Sequence, residues 1–287
     1  SIIDHPIVDV VILTVLPEEY NRICEQISEL CSPPDIGSHP NLYAWQFGNV
    51  FCQKFNGNYK IAVGMIGRAG TTLSALAAIE AVRLWRPRYI FFSGIAGGLH
   101  QPNKRDAHPK LGDVVIADMV YGYEYGKMDE RFKPRTNWNY KTDQALLNGA
   151  MAFARSDGWK EDIKAVPPIK CNTKIVRGEI ASGDKVVDDP TNDFFAQVLK
   201  MWPKINAVEM EGAGIASAID QVQSLGFPIG FMMIRGISDL PCAKGKGKGT
   251  KVRDAWKIYA SDSVAAFIVG WISDGLPVWP SARSNHK

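Results

Sequence analysis

The 287-residue chain has no C-x-x-C pair, no H-x-x-x-H spacing and no apolar run long enough for a membrane. Its five Cys, at 24, 31, 52, 171 and 242, are odd in number and scattered, which fits reduced thiols in a cytoplasmic protein better than a disulfide framework. The five His lack partnering Cys, so no metal is expected. The most apolar stretch, residues 264–272, falls short of the roughly 20 residues that a membrane helix needs, and no secretory leader opens the chain. A net charge of only +3 gives no global reason for nucleic acid as a partner, so any anion binding must be local.

Missing motifs narrow the chemistry. Gly64, Gly67 and Gly70 do not make the dinucleotide fingerprint. The run Lys246-Gly247-Lys248-Gly249-Thr250-Lys251 has the wrong order for a phosphate P-loop, and no G-x-S-x-G elbow occurs. No cofactor is expected. The chain begins with Ser and ends on a polar tail, which reads as a piece excised from a longer protein or trimmed from a tag.

What is present alternates. Residues 8–15 form a β-branched run, followed after Pro17 by Tyr20, Ile23, Ile27 and Leu30 at helical spacing: a buried strand, then a helix. Residues 42–52 and 59–66 flank Asn56-Gly57-Asn58 and predict a hairpin. A helix over 71–85 stops at Pro87, and a strand over 89–92 runs into a glycine turn, Ser93-Gly94-Ile95-Ala96-Gly97-Gly98. Strands at 114–117, 175–180, 205–208 and 229–234 alternate with helices at 143–155, 191–202, 210–225 and 252–272. Segments 100–110 and 127–139 are polar, turn-rich surface loops or lids. The pattern predicts an α/β fold: a single-domain, three-layer α/β/α sandwich on a mixed, mainly parallel sheet. The domain is expected over 1–275, with a polar tail at 276–287.

Five acidic residues, Glu19, Asp184, Glu209, Glu211 and Asp239, lie just past apolar strands, where this architecture gathers ligand-facing groups. Each alone reads equally well as a helix cap; together they mark one sheet edge. Arg235 adds a fixed cation there. The basic run Lys244, Lys246, Lys248, Lys251 and Arg253 reads first as a solvated loop. Read more sharply, it is a phosphate clamp opening the last helix, which fits a nucleotide.

In order and spacing, Thr14 to Glu19, Ser93-Gly94-Ile95-Ala96-Gly97-Gly98-Leu99, Gly112-Asp113-Val114-Val115, Ser182-Gly183-Asp184, Ala207-Val208-Glu209-Met210-Glu211 and Arg235-Gly236-Ile237-Ser238-Asp239 resemble the nucleoside phosphorylase family. Within it the chain is most similar to the 5′-methylthioadenosine/S-adenosylhomocysteine nucleosidases, for which V-E-M-E and R-x-I-S-D are characteristic. The resemblance implies a hydrolytic N-glycosidase releasing adenine. It makes Asp239 the general acid toward the purine, Ser238 its positioner, and Glu211 the carboxylate on the ribose hydroxyls. It also makes Met210 the residue packing on the sugar and Glu19 the group that activates water, with Arg235 close by. Gly94, Asp184, Glu209 and Val187 are carried over as substrate-binding positions with it.

Two positions depart from the pattern. Ile95 stands where the nucleosidases commonly have Ser, and Val186 where an aromatic ring stacks on the base. Divergent members of the family, effector domains of immune and antiphage proteins, cleave adenine nucleotides such as ATP, and the Lys-Gly run fits that branch. The expected partner is a small purine nucleoside or nucleotide, within a homodimer or larger homo-oligomer. The alternatives are a purine nucleoside phosphorylase using orthophosphate and a non-catalytic nucleotide-binding module.

Overall fold

The computed structural model describes residues 6–32, 42–100, 108–241 and 248–277, the side chain of Lys248 excepted. Strand β1 (Val10–Thr14) is buried throughout, as a strand with helices on both faces must be. Val11 and Leu13 point to one hydrophobic layer, Val10 and Ile12 to the other. Helix α1 (Pro17–Gln26) starts on a Pro whose missing N–H is not needed in a first turn. β2 (Glu29–Cys31), β3 (Trp45–Cys52) and β4 (Gly57–Met65) follow, the last two pairing as the expected hairpin with Asn56 left-handed at its turn. Helix α2 (Thr71–Trp85) leads to β5 (Tyr89–Gly98), then β6 (Val114–Gly122). The supposed loop over 127–139 holds a small hairpin, β7 (Gly126–Met128) with β8 (Phe132–Pro134), before β9 (Asn139–Lys141). After α3 (Gln144–Phe153) come β10 (Ile175–Ser182), α4 (Asp193–Met201), β11 (Ile205–Glu209), α5 (Gly212–Ser224), β12 (Gly230–Asp239) and α6 (Lys248–Asp274). Among the described residues, no helix is long and apolar enough to cross a membrane.

The main sheet runs β11-β10-β6-β12-β5-β1-β4-β3-β2, with β9 beside β6. It is mixed: β4, β1, β5 and β12 run parallel as neighbours, and β12 meets β6 antiparallel. Residues of α2 and α5 pack on one face, and those of α1, α3 and α6 on the other. These are the three layers expected.

The glycine segment corrects the sequence reading. Residues 93–98 are not a turn but the second half of β5, which stays parallel to β12 as far as Gly97 and, on the edge that β1 leaves after Phe92, pairs antiparallel with β11, Gly97 opposite Val208 and Gly98 opposite Ala207. A Cβ on Gly97 would stand 2.9 Å from Pro241 and 3.3 Å from the Asp239 carboxylate. Small residues let this strand end bend across the sheet, so β5, β12, β6, β10 and β11 curl into a closed set.

Candidate active site

At the carboxyl ends of β5, β11 and β12 lies a cavity of about 220 Å³. Its walls combine apolar side chains, Ile95, Met210, Val186 and Val187 among them, with Glu19, Glu209, Glu211, Arg235, Ser238 and Asp239. Val186 is 60% exposed, so its side chain sits at the rim and cannot close over a ligand as a ring would. None of the described lining residues is aromatic.

Each acidic residue can now be sorted between capping and site. Glu19 does both. Its Oε1 accepts from the N–H groups of Val15 (2.9 Å) and Leu16 (2.8 Å), tying down the start of α1, while Oε2 accepts from Ile95 N–H (2.8 Å). Glu209 accepts from the N–H groups of Glu211 and Gly212, both at 2.9 Å, which fixes the start of α5. Glu211 caps nothing with its side chain, which is left for the cavity. Asp184 is a cap outside the cavity: it accepts from Thr71 N–H (2.7 Å) and hydroxyl (3.0 Å) at the start of α2. It does not line this cavity, where the sequence reading set it against the substrate, because the α2 N-terminus offers unsatisfied donors nearby.

Arg235 organises the rest. Only 1% exposed, its Nη2 meets Glu211 at 3.0 Å and also Glu209, its Nη1 stands 3.9 Å from Glu19, and the guanidinium lies 4.0 Å over the Phe92 ring. Gly94 does not line the cavity but makes this possible. A Cβ there would fall 1.8 Å from Arg235 Nη1 and 2.4 Å from Glu19 Oε2.

Three carboxyls around one guanidinium cannot all ionise cheaply in a buried site. Burial, aided by the Glu209 charge, pushes Glu211 up to about 8, with Arg235 opposing. Burial likewise raises Glu19, against Arg235 and three backbone N–H donors. A folded-state value above the unfolded one contributes stability that is complete below about pH 4.5 and lost as pH rises through about 8. We therefore expect urea-measured stability to fall from pH 5 to 8, with a slope approaching about 1.4 kcal/mol per unit, the limit for one proton. Glu211→Gln should flatten it; an equally steep fall in that variant contradicts the assignment.

Asp239 ends β12, 5% exposed, with the Ser238 hydroxyl donating to its Oδ1 at 3.0 Å. Burial raises its carboxyl, while Arg253 and Ser238 pull it down. Lys185 and Arg253 also line the cavity; Lys185 is not a site residue on the sequence reading. Arg253 was visible only as the end of a basic run. Lys244 and Lys246 lie outside the described residues, and Lys248 opens α6 with its side chain undescribed.

The profile of the phosphorylase superfamily matches residues 9–269. The chain belongs to the phosphorylase superfamily. Among members with curated names, it is 27% identical over 212 residues to a 5′-methylthioadenosine/S-adenosylhomocysteine nucleosidase of Geobacillus sp. (strain WCH70), covering 71% of this chain and 77% of the relative. Its counterpart from Geobacillus kaustophilus is 32% identical over 192 residues, 63% of this chain and 65% of the relative; the alignment thus spans somewhat under two thirds of that relative. Among solved superfamily structures, the S-adenosylhomocysteine nucleosidase of Streptococcus pyogenes with 5-methylthiotubericidin superposes with a TM-score of 0.68. It is 21% identical, with 96% of this chain and all of that one covered, a likeness that shows the fold.

Proposed function

We propose that the protein is a hydrolytic N-glycosidase that releases adenine from an adenine nucleoside or nucleotide. The carrying observation is the meeting of Asp239, Glu211 and Glu19 in one cavity at the sheet's carboxyl edge. Purine leaves poorly as an anion. Asp239, whose affinity for a proton burial raises and whose carboxyl Ser238 holds, is placed to protonate the ring nitrogen as the glycosidic bond breaks. Glu211 receives the ribose hydroxyls, and the positive charge growing on the sugar favours its ionised form. Glu19, raised by burial, accepts a proton from the attacking water. Met210 packs on the sugar.

The nucleophile follows from charge. Arg235 is already committed to three carboxylates, Lys185 to Glu124, and Arg253 lies beside Asp239. Among the described residues lining the cavity, no cation is left uncommitted for orthophosphate, which favours water over phosphorolysis. The basic run from Lys244 to Lys251, between Asp239 and the body of α6 in sequence, supports a phosphate-bearing substrate such as ATP. The relatives named above are nucleosidases of methylthioadenosine and S-adenosylhomocysteine, which keeps the nucleoside beside it. A homodimer or larger homo-oligomer belongs to the same proposal: Leu76 and Ile79 leave 50% and 43% of their surface exposed on α2, an apolar face that a second copy would cover.

Chromatography of the products from ATP, adenosine and methylthioadenosine, each with and without phosphate, tests the reading. Adenine should form at the same rate without phosphate. Strict phosphate dependence, with ribose phosphorylated at the anomeric carbon, would establish the phosphorylase; no adenine from any of the three would leave a binding module.

A further inference from the structure

Arg253 is the one side chain of α6 in ionic contact with Asp239 among the described residues. Its Nε stands 3.6 Å from Asp239 Oδ1, and its Nη2 3.9 Å from Asp188 Oδ1 in the segment after β10. The Ser238 hydroxyl donates to the same Oδ1. Both partners therefore engage one oxygen of the carboxyl. Among the described residues nothing donates to Oδ2, which lies over Gly97, where a Cβ would come within 3.3 Å.

We infer that Arg253 is a positioning residue of the acid: with Ser238 it fixes the rotation of the Asp239 carboxyl, leaving Oδ2 as the oxygen that carries and delivers the proton. The inference rests on the proposed role of Asp239. Arg253 acts on that proton by charge as well as by orientation, because a cation beside Oδ1 favours the carboxylate. Asp188 works in the opposite sense. It competes for the same guanidinium and adds a negative charge of its own near Asp239. The acid is thus set between a cation on α6 and an anion on the β10–α4 segment, so the relative placement of these two elements governs its proton.

Other charged groups face Asp239 across the cavity. Lys185 stands on the β10–α4 segment, Glu209 and Glu211 at the end of β11, Arg235 on β12 and Glu19 on α1. Arg235 is held among the three glutamates, and Lys185 is drawn to Glu124. Arg253 is 31% exposed at the cavity rim, and its two carboxylate contacts exceed hydrogen-bonding distance. It can therefore be replaced without opening the core.

The test is the pH dependence of kcat/KM, read with whichever of ATP, adenosine and methylthioadenosine is cleaved fastest, for wild type and three variants. Arg253→Met removes a cation that favours ionised Asp239, so one limb of the profile should move to higher pH by about 0.5–1 unit, the usual effect of a close charge reduced by solvent. Asp188→Asn should move the same limb to lower pH. Arg253→Lys, which keeps the charge, should leave the limb near that of wild type while lowering kcat, because a flexible ammonium does not hold the fixed place of the planar guanidinium beside Oδ1. Profiles of Arg253→Met and Asp188→Asn that superimpose on wild type, with Asp239→Asn inactive, would overturn the inference and leave the function standing. An Asp239→Asn enzyme with normal turnover would instead remove the acid itself.

Discussion

Asp239→Asn lowers turnover by about 10²–10⁴-fold, the range that a positioned general acid contributes, while thermal stability changes little. Asn keeps the shape of the side chain and an acceptor for the Ser238 hydroxyl, 3.0 Å away, but has no proton to give to a leaving purine. The change should appear in kcat and kcat/KM together, because the lost interaction strengthens only as the bond breaks. Adenine release measured by chromatography, alongside a melting curve, checks it. Near-normal turnover of the folded variant is the result that removes Asp239 from this role.

The second large effect is on stability. Arg235→Met takes from among Glu19, Glu209 and Glu211 the only guanidinium that the described residues place there, and leaves three buried carboxyls facing one another. Stranding buried charge in this way costs about 3–5 kcal/mol, against a whole-protein stability of about 5–15 kcal/mol. The loss depends on pH. Without the guanidinium, burial and repulsion raise the folded-state values of Glu19 and Glu211 further above their unfolded values. Stability is then intact where they are protonated and falls as pH rises past the unfolded glutamate value of about 4.3. Urea unfolding should show the variant near wild type at pH 4–5 and far below it at pH 8. A gap that does not vary with pH would mean that Arg235 acts through packing on Phe92, 4.0 Å from its guanidinium, and not through charge.

Each of these effects traces to residues at the ends of apolar runs, and it was there that the sequence carried most information. Hydrophobic periodicity located β1 and α2, because a strand buried on both faces and a helix over a sheet each impose a spacing that solvent exposure would erase, and the turn chemistry of Asn56-Gly57-Asn58 located the β3–β4 hairpin. It also brought Glu19, Arg235 and Asp239 to one edge, since β1, β5 and β12 run parallel and their ends point the same way, whereas Glu209 and Glu211 reach that edge because β11 crosses the end of β5 antiparallel.

What the chain could not say locally was which acid serves which partner. Asp184 and Glu211 look alike in sequence, each just past a strand. Only the packing of α2 beside the end of β10 draws Asp184 onto Thr71, while Glu211 remains unclaimed by any helix end. The glycine segment is the same kind of case. Ser93 to Gly98 has the composition of a turn, yet it is strand, because β12 pairs with it as far as Gly97 and β11 takes up the edge that β1 leaves after Phe92. Arg253 lies in a run of cations with nothing to mark it. Its role arises when α6 folds back against β12 and sets one guanidinium 3.6 Å from a buried carboxyl. Sequence determined the elements and the edge where the chemistry gathers, because burial patterns are local; tertiary structure decided the pairings, because a charge is set by neighbours that the chain order does not reveal.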